Sequence, residues 1–265
     1  MKLGFFGAGK MAEGILTAVP DKSTVIMAEK VSARAAKLKA KYGVRTTGDL
    51  AKVAAEAELI VLAVRPQDVP EVAVTVKGML TAKQTLVSIV AGKTLAVLRQ
   101  AFGPKVGLVR VMPNLALRAG AGMCALCAAP RTSKSHIAAI EGILGAAGAT
   151  VRLAERDFDA VTALSGSGPA YFAYMELAMA EGGVALGLKP KVARLLAEQT
   201  MYGTAKFLRE SGMDLATFVA GVCTKGGTTA AGMVHLAKPA FKKVVAKTLA
   251  AAAARSRALA GPSAS

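Results

Sequence analysis

The fold of the N-terminal half is decided by its first stretch, Lys2-Leu3-Gly4-Phe5-Phe6-Gly7-Ala8-Gly9-Lys10-Met11-Ala12. The apolar residues before Gly7 predict a short strand, and the remainder matches the G-x-G-x-x-A fingerprint of a dinucleotide-binding turn. Gly7 permits the tight turn, Gly9 lets the backbone approach a pyrophosphate, and Ala12 lets the following helix pack on the strand. Lys10 opposes the dipole of that helix, which indicates that an anion docks there.

The acid that usually contacts ribose is predicted to be Glu29. It follows a second predicted strand, 24–28, about twenty residues after the fingerprint, where an acid binds the ribose hydroxyls of NAD. Lys30 and Arg34 lie just beyond it and suit the extra phosphate of NADP. These signals conflict, so the sequence leaves both NADPH and NADH open.

Strands and helices are predicted to alternate as far as residue 153. After the first two strands, strands are predicted at 59–64, 86–90, 106–111, 121–128 and 149–153, with helices at 13–19, 32–42, 49–56 and 133–146. Continuous apolar runs are typical of parallel strands covered on both faces. We therefore expect an α/β fold, with a Rossmann-type doubly wound sheet over residues 1–153.

The second half of the chain, 154–265, predicts an all-α domain. Its Ala-, Leu- and Met-rich stretches predict helices at 170–187, 190–211, 214–221 and 228–259, with Pro169 in the first turn of the first of these. The helices are apolar around much of their circumference, so we expect a second subunit to cover them in a homodimer. The tail 261–265 is expected to fray.

A glycine-rich turn in this half predicts a site for a small carboxylate. Gly226 and Gly227 leave backbone N–H groups exposed, and Thr228 and Thr229 begin the predicted last helix. A helix N-terminus with hydroxyls beside it binds an anion and donates hydrogen bonds. The alternative is that the two threonines only cap the helix.

Composition narrows the classes of function. The net charge is +17 with 5% aromatic residues, and without a nucleic-acid reading motif we expect this charge to attract anionic small molecules. Apolar runs end before about 18 residues and the N-terminus does not resemble a signal peptide, which predicts a cytoplasmic protein that does not span membranes. Cys124 and Cys127 form a lone C-x-x-C on a predicted strand and face opposite sides, so we expect no metal site.

Six blocks, in order, resemble the pyrroline-5-carboxylate reductase family. They are GFFGAGKMA (4–12), AVRPQ (63–67), SIVAG (88–92), RVMPN (110–114), ALSGSGPAY (163–171) and GGTT (226–229). The resemblance covers almost the whole chain. It implies an N-terminal Rossmann domain, a helical domain that interlocks two subunits, often in larger rings, and reduction of 1-pyrroline-5-carboxylate to L-proline by NADPH or NADH.

The resemblance also implies residue roles. The expected cofactor-binding residues are Gly7, Ala8, Gly9, Lys10 and Met11 at the pyrophosphate, Glu29, Lys30 and Arg34 at the adenosine ribose, Val64, Arg65, Pro66 and Ala91 beside the nicotinamide, and Asn114 at its carboxamide. The amides of Gly226, Gly227 and Thr228 are expected to bind the substrate carboxylate, with Ser165 also at the substrate. The hydroxyl of Thr229 is expected to donate to the imine nitrogen, with the proton drawn finally from water.

Three departures from the family pattern leave alternatives open. Lys10 stands where members usually have Asn, Lys225 where they have Pro, and Leu115-Ala116-Leu117 where they have Thr-Pro-Ala. A reductase of another cyclic imine acid and a non-enzymatic dinucleotide-binding protein are the alternative functions. For Asn114 and Ser165, shaping of the local turn and loop is the alternative role.

Overall fold

The computed structural model describes residues 1–260 and contains one eight-stranded sheet in the order β3-β2-β1-β4-β5-β6-β7-β8. The strands are β1 Leu3–Phe6, β2 Val25–Ala28, β3 Arg45–Thr47, β4 Leu59–Leu62, β5 Thr85–Ser88, β6 Gly107–Pro113, β7 Gly122–Ala128 and β8 Gly148–Arg152. The helices between and after them are α1 Lys10–Thr17, α2 Ser32–Tyr42, α3 Leu50–Glu56, α4 Val69–Thr75, α5 Leu95–Phe102, α6 Lys134–Ala146 and α7 Phe158–Val161. The predicted Rossmann-type doubly wound sheet is confirmed.

The strand order creates a crevice at the carboxyl end of β1. β1 pairs in parallel with β2 on one side and with β4 on the other, so successive connections leave it in opposite directions. Ligands of open α/β sheets bind at such a switch point. Among the described strands, only β6 and β7 pair antiparallel, and the remaining neighbours are parallel.

The central strands are buried on both faces, which explains their continuous apolar sequence. Along β4, Val61 belongs to one core cluster and Ile60 and Leu62 to the other, and all three are fully buried. Phe5 and Phe6 of β1 divide in the same way. Each fully buried side chain of this size contributes about 1.5–3 kcal/mol, so burial of these strands stabilises the sheet around the crevice.

The N-terminal half differs from the sequence prediction in three elements. β3 was not predicted, because Arg45–Thr47 is short and polar and becomes a strand only by pairing with the edge of β2. Helices α4 and α5 were also not predicted. The strand predicted at 59–64 ends at Leu62, and the one predicted at 106–111 continues to Pro113.

The remaining helices are α8 Gly168–Ala185, α9 Pro190–Ser211, α10 Leu215–Val222, α11 Thr228–Leu236 and α12 Pro239–Ala260. Within residues 157–260 there is no strand, as predicted, and Pro169 lies in the first turn of α8. The single helix predicted at 228–259 is wrong. The chain leaves helical structure before Pro239, because proline lacks an N–H donor and disfavours helical conformation in the preceding residue.

The structure divides into two compact units, Met1–Ser167 together with the chain from Ala252 onward, and Gly168–Ala251. The boundary lies beyond residue 153 because the buried side chain of Phe158 packs beneath Arg110 of β6, with the guanidinium carbon 4.6 Å from the ring centroid. The end of α12 belongs to the first unit, where the buried hydroxyl of Ser256 donates to Asp159 at 2.7 Å. The division of function at 153/154 stays a prediction.

The second unit exposes many large apolar side chains. Phe172, Tyr174, Leu186, Leu195 and Leu215 each expose more than 60% of their surface. Exposed large apolar side chains in this number are typical of a surface that another protein covers. Within residues 1–260, no helix combines the length and apolar character needed to cross a membrane. The expected fraying of 261–265 lies outside the described residues.

Candidate active site

The turn between β1 and α1 has the geometry that the G-x-G-x-x-A pattern predicts. Gly7 has a φ of +91°, and a Cβ there would lie 2.8 Å from the carbonyl oxygen of Ala63, so only glycine fits. Gly9 is the N-cap of α1; a Cβ placed on it would meet no atom within 4 Å, and no side chain caps the helix. Lys10 begins α1 and is exposed. The open approach and the uncapped helix N-terminus fit a pyrophosphate.

A cleft of about 480 Å³ adjoins this turn and gathers much of the predicted cofactor site. The predicted residues that line it are Gly7, Ala8, Gly9, Glu29, Lys30, Arg34, Val64 and Arg65. The lining residues that sequence reasoning missed are Ala28, Gly48, Leu50, Ala63, Asp68, Glu71 and Val72. Lys10, Met11, Pro66, Ala91 and Asn114 are not part of its lining.

The charged side chains at the β2 end of the cleft form two ion pairs. Glu29 follows β2 and is buried, and its Oε1 accepts from the N–H of Val31 at 2.8 Å while its Oε2 pairs with Arg34 Nη1 at 3.1 Å. Lys30 Nζ lies 2.5 Å from Glu71 Oε1, which raises the pKa of the lysine. The sequence predicts Lys30 and Arg34 at this site, but no sequence pattern indicates that Glu71 of α4 contacts Lys30.

The β4 end of the cleft carries a second ion pair. Arg65 Nε lies 2.9 Å from Asp68 Oδ2, and its Nη2 lies 3.2 Å from Oδ1, so the guanidinium holds the pKa of that carboxyl below its usual value. Val64 lines the cleft beside it, and Ala91 is exposed in the turn after β5. A ligand at this end would therefore contact the apolar side chain of Val64 and the guanidinium of Arg65, which is paired with Asp68.

Asn114 is held in place by the neighbouring strand. Its N–H donates to the carbonyl oxygen of Met123 at 3.1 Å, and its Oδ1 accepts from the N–H of Met123 at 3.1 Å. Its Nδ2 lies 3.5 Å from the hydroxyl oxygen of Ser165. The structure therefore brings Asn114 and Ser165 together, and it gives Asn114 the turn-shaping contacts of the alternative role.

The Gly-Gly-Thr-Thr turn lies within the second unit, ahead of α11. Gly226 has a φ of +75°, and the N–H of Gly227 donates to the carbonyl oxygen of Thr224 at 3.0 Å. The predicted amide of Gly227 is thus already bonded, whereas those of Gly226 and Thr228 have no acceptor among residues 1–260. Gly227 is the N-cap and no side chain caps α11, so neither threonine hydroxyl acts as its cap. The exposed hydroxyl of Thr229 is available to a ligand.

Metal and thiol chemistry find no support in the described part of the chain. Within residues 1–260, no three His, Cys, Asp or Glu side chains come together as they would to hold a metal ion. Burial raises the pKa of Cys124 to about 12 and that of Cys127 to about 11. Both thiols are therefore protonated at neutral pH and are poor nucleophiles or ligands.

Comparison with known proteins gives near full-length matches. Residues 155–259 match a family model described as pyrroline-5-carboxylate reductase dimerisation, and residues 2–92 match one described as NADP oxidoreductase, coenzyme F420-dependent. A pyrroline-5-carboxylate reductase of Synechocystis sp. is 36% identical over 264 residues, covering 98% of each chain.

Solved structures agree with these matches. A pyrroline-5-carboxylate reductase from Coxiella burnetii has a TM-score of 0.93 and 29% identity, covering 98% of this chain and 99% of that one. A pyrroline carboxylate reductase of Plasmodium falciparum with NADP bound has a TM-score of 0.86 and 27% identity, covering 98% of each.

Proposed function

The chain belongs to the pyrroline-5-carboxylate reductase family, and we propose that it reduces 1-pyrroline-5-carboxylate to L-proline with NADPH or NADH. The observation that carries this proposal is the similarity to reductases of that name over nearly the whole chain. The dinucleotide turn and its adjoining cleft support it, because this chemistry requires a bound nicotinamide cofactor.

The protein's part at the cofactor is to bind and to orient. When bound, NAD(P)H supplies the hydride. The backbone at Gly9, the uncapped N-terminus of α1 and the exposed Lys10 would hold the pyrophosphate. Val64, Arg65, Pro66 and Ala91 would border the nicotinamide ring, with Ala8 and Met11 beside the turn and Asn114 at the carboxamide.

The substrate would bind at the Gly-Gly-Thr-Thr turn. The free amides of Gly226 and Thr228 suit its carboxylate, with Gly227 shaping the turn and Ser165 giving a further hydroxyl. Hydride adds to the imine carbon, the C=N π electrons move to nitrogen, and nitrogen takes up a proton. The hydroxyl of Thr229 would donate a hydrogen bond to this nitrogen, making the carbon more electrophilic. A hydroxyl is a weak acid, so water supplies the proton.

The two halves of the chain would divide this work. We assign dinucleotide binding to residues 1–153, and substrate binding and dimerisation to residues 154–265. The matched dimerisation region and the exposed apolar side chains of the second unit support a homodimer, and we extend this to a ring of dimers. A cytoplasmic location is part of the proposal, because the reaction consumes NAD(P)H and the three cysteines are free thiols.

The test is to follow NADPH and NADH oxidation by absorbance, with and without added 1-pyrroline-5-carboxylate. Oxidation that depends on the imine is expected. Protein that binds the cofactors but oxidises neither of them when the imine is added contradicts the proposed substrate. In that case a six-membered cyclic imine carboxylate tests the alternative, which the exposed Lys225 and Leu115, both departures from the family pattern, support.

A further inference from the structure

The turn after β5 contacts the C-terminal end of α12. Gly92 is buried and has a φ of +73°, and a Cβ placed on it would lie 3.1 Å from both the carbonyl carbon and the carbonyl oxygen of Leu259. The end of α12 therefore packs directly on the backbone of Gly92. Ala91, the preceding residue, stays exposed.

This turn lies at the edge of the sheet where the cofactor is expected. β1, β4 and β5 are neighbouring parallel strands, so the turn after β5 emerges at the same edge as the dinucleotide turn after β1. Under the proposed function, Ala91 borders the nicotinamide ring. The position of this border then depends on what holds Gly92.

The end of α12 is held by one buried hydroxyl. Ser256 lies about one helical turn before Leu259 and is 4% exposed, and among the described residues 252–259 it is the only buried one. Its Oγ donates to Asp159 Oδ1 at 2.7 Å. This hydrogen bond fixes the helix end that packs on Gly92.

The other side of the same turn is held independently. Oε1 of Glu155 accepts from the N–H of Leu95, the first residue of α5, at 2.7 Å and from Arg110 Nη1 at 3.0 Å. Glu155 lies four residues before Asp159, so residues 155–159 contact both α5 and the end of α12. Loss of the Ser256 hydroxyl would release the helix end while Glu155 still holds the turn.

Resting on the proposed function, we infer that Ser256 and Asp159 are positioning residues for hydride transfer. Their hydrogen bond holds the end of α12 against Gly92, and this contact sets the position of Ala91 at the nicotinamide ring. Neither side chain touches the cofactor in this role. Reaction rates are sensitive to displacements of about 1 Å in bound reactants, so a small shift of the turn is sufficient to slow the reaction.

The test measures how Ser256→Ala changes binding of the nicotinamide half of the cofactor. Each reduced cofactor is titrated calorimetrically into the full chain without any imine, beside its counterpart that lacks the nicotinamide ring: ADP-ribose for NADH and the 2′-phosphate of ADP-ribose for NADPH. We expect Ser256→Ala to weaken binding of the reduced cofactor by about 3- to 10-fold and to leave that of the counterpart within about 2-fold. Equal weakening of both ligands, or of neither, overturns the inference.

The matched control is Thr248→Ala, which removes another hydroxyl from α12. Thr248 is exposed, and its Oγ1 donates to the carbonyl oxygen of Val244 in the same helix at 3.0 Å. Binding of all four ligands should equal that of the unmodified chain. A loss equal to that of Ser256→Ala would mean that any hydroxyl removed from α12 disturbs binding, and would overturn the inference.

Variants of Asp159 test whether the two residues act as a pair. Asp159→Ala should give the same loss as Ser256→Ala, and the double variant no further loss, because each change removes the same hydrogen bond. Asp159→Asn keeps an acceptor oxygen and should retain most of the affinity for the reduced cofactor. Additive losses in the double variant would show that the residues act separately and would overturn the inference.

Turnover separates this inference from the proposed function. With 1-pyrroline-5-carboxylate present, Ser256→Ala should lower kcat by about 10-fold at an unchanged KM for the imine, because the displaced ring affects the transfer step. An unchanged kcat in an active reductase overturns the inference. A chain that shows the expected titrations but does not reduce 1-pyrroline-5-carboxylate refutes the proposed function alone.

Discussion

Replacing Gly7 by alanine should destabilise the fold as well as the cofactor site. The positive φ of +91° costs an L-residue about 1–2 kcal/mol. The new methyl would also lie 2.8 Å from the carbonyl oxygen of Ala63 and 3.0 Å from Val64 Cγ1. Relieving overlap with fixed backbone at this depth adds about 1–3 kcal/mol. We therefore expect a total loss of about 2–5 kcal/mol in the free energy of unfolding.

Gly43→Ala isolates the first of these terms, the conformational cost of the positive φ. Gly43 has a similar positive φ of +70°, but nothing lies within 4 Å of a methyl placed there. Only the conformational cost of about 1–2 kcal/mol applies. Urea denaturation of both variants at one protein concentration measures the difference, since the stability of an oligomer depends on concentration. Equal losses for the two variants would refute the close approach of Ala63, which follows β4, to the turn.

Gly9→Ala should leave the stability of the fold nearly unchanged and weaken cofactor binding. Gly9 has a φ of −72° and open space around it, so the free energy of unfolding should change by less than about 1 kcal/mol. The methyl would stand where the backbone approaches the pyrophosphate, and we expect NADPH affinity to fall by about 10-fold or more in a fluorescence titration. Unchanged affinity would remove the pyrophosphate from this turn.

Three further predictions concern single side chains. Thr229→Ala should lower kcat by about 10- to 100-fold without abolishing it, and Thr229→Ser should restore most of the loss; unchanged turnover would exclude the proposed hydrogen bond. Arg110→Met should cost about 2–4 kcal/mol in urea denaturation, because Arg110 is 7% exposed in its pair with Glu155; a loss below about 1 kcal/mol would show that the pair contributes no more than a surface one. Hydrogen bonding to Lys41 lowers the pKa of Glu13 from 4.5, so its stabilisation is present above that pH and lost as the pH falls through the folded-state pKa. Thermal melts should therefore show a smaller acid loss in Glu13→Gln, and identical pH dependence would contradict the assignment.

The sequence predicted the parts of this fold that local pattern controls. β1 and β4 are short apolar runs followed by turns, and burial on both faces explains why they contain no polar side chain. β3 depends on pairing with a neighbour and has no such pattern. The break before Pro239 was visible in the sequence, but the helical composition on both sides concealed it.

In the site, too, local sequence pattern predicted some features and missed those that depend on tertiary contacts. The residues of the Gly-x-Gly turn are contiguous in sequence, so the motif alone placed them together. The contact of Lys30 with Glu71 spans 41 residues, and Glu155 accepts from the N–H of Leu95 across 60. Such contacts arise only when the helices have packed on the sheet, and no local pattern indicates them.

Because β6 and β7 pair antiparallel, the loops at one end of the sheet lie away from the cofactor site, and an insertion is tolerated better there than at the other end. Because β7 and β8 run antiparallel to the first six strands, the segment after β7 leaves the sheet at the end opposite the dinucleotide turn. Pro130 and Arg131 are exposed there. A peptide tag or a fluorescent domain inserted between these two residues would project away from the cofactor. This end of the sheet is therefore the place to attach a reporter to an active reductase.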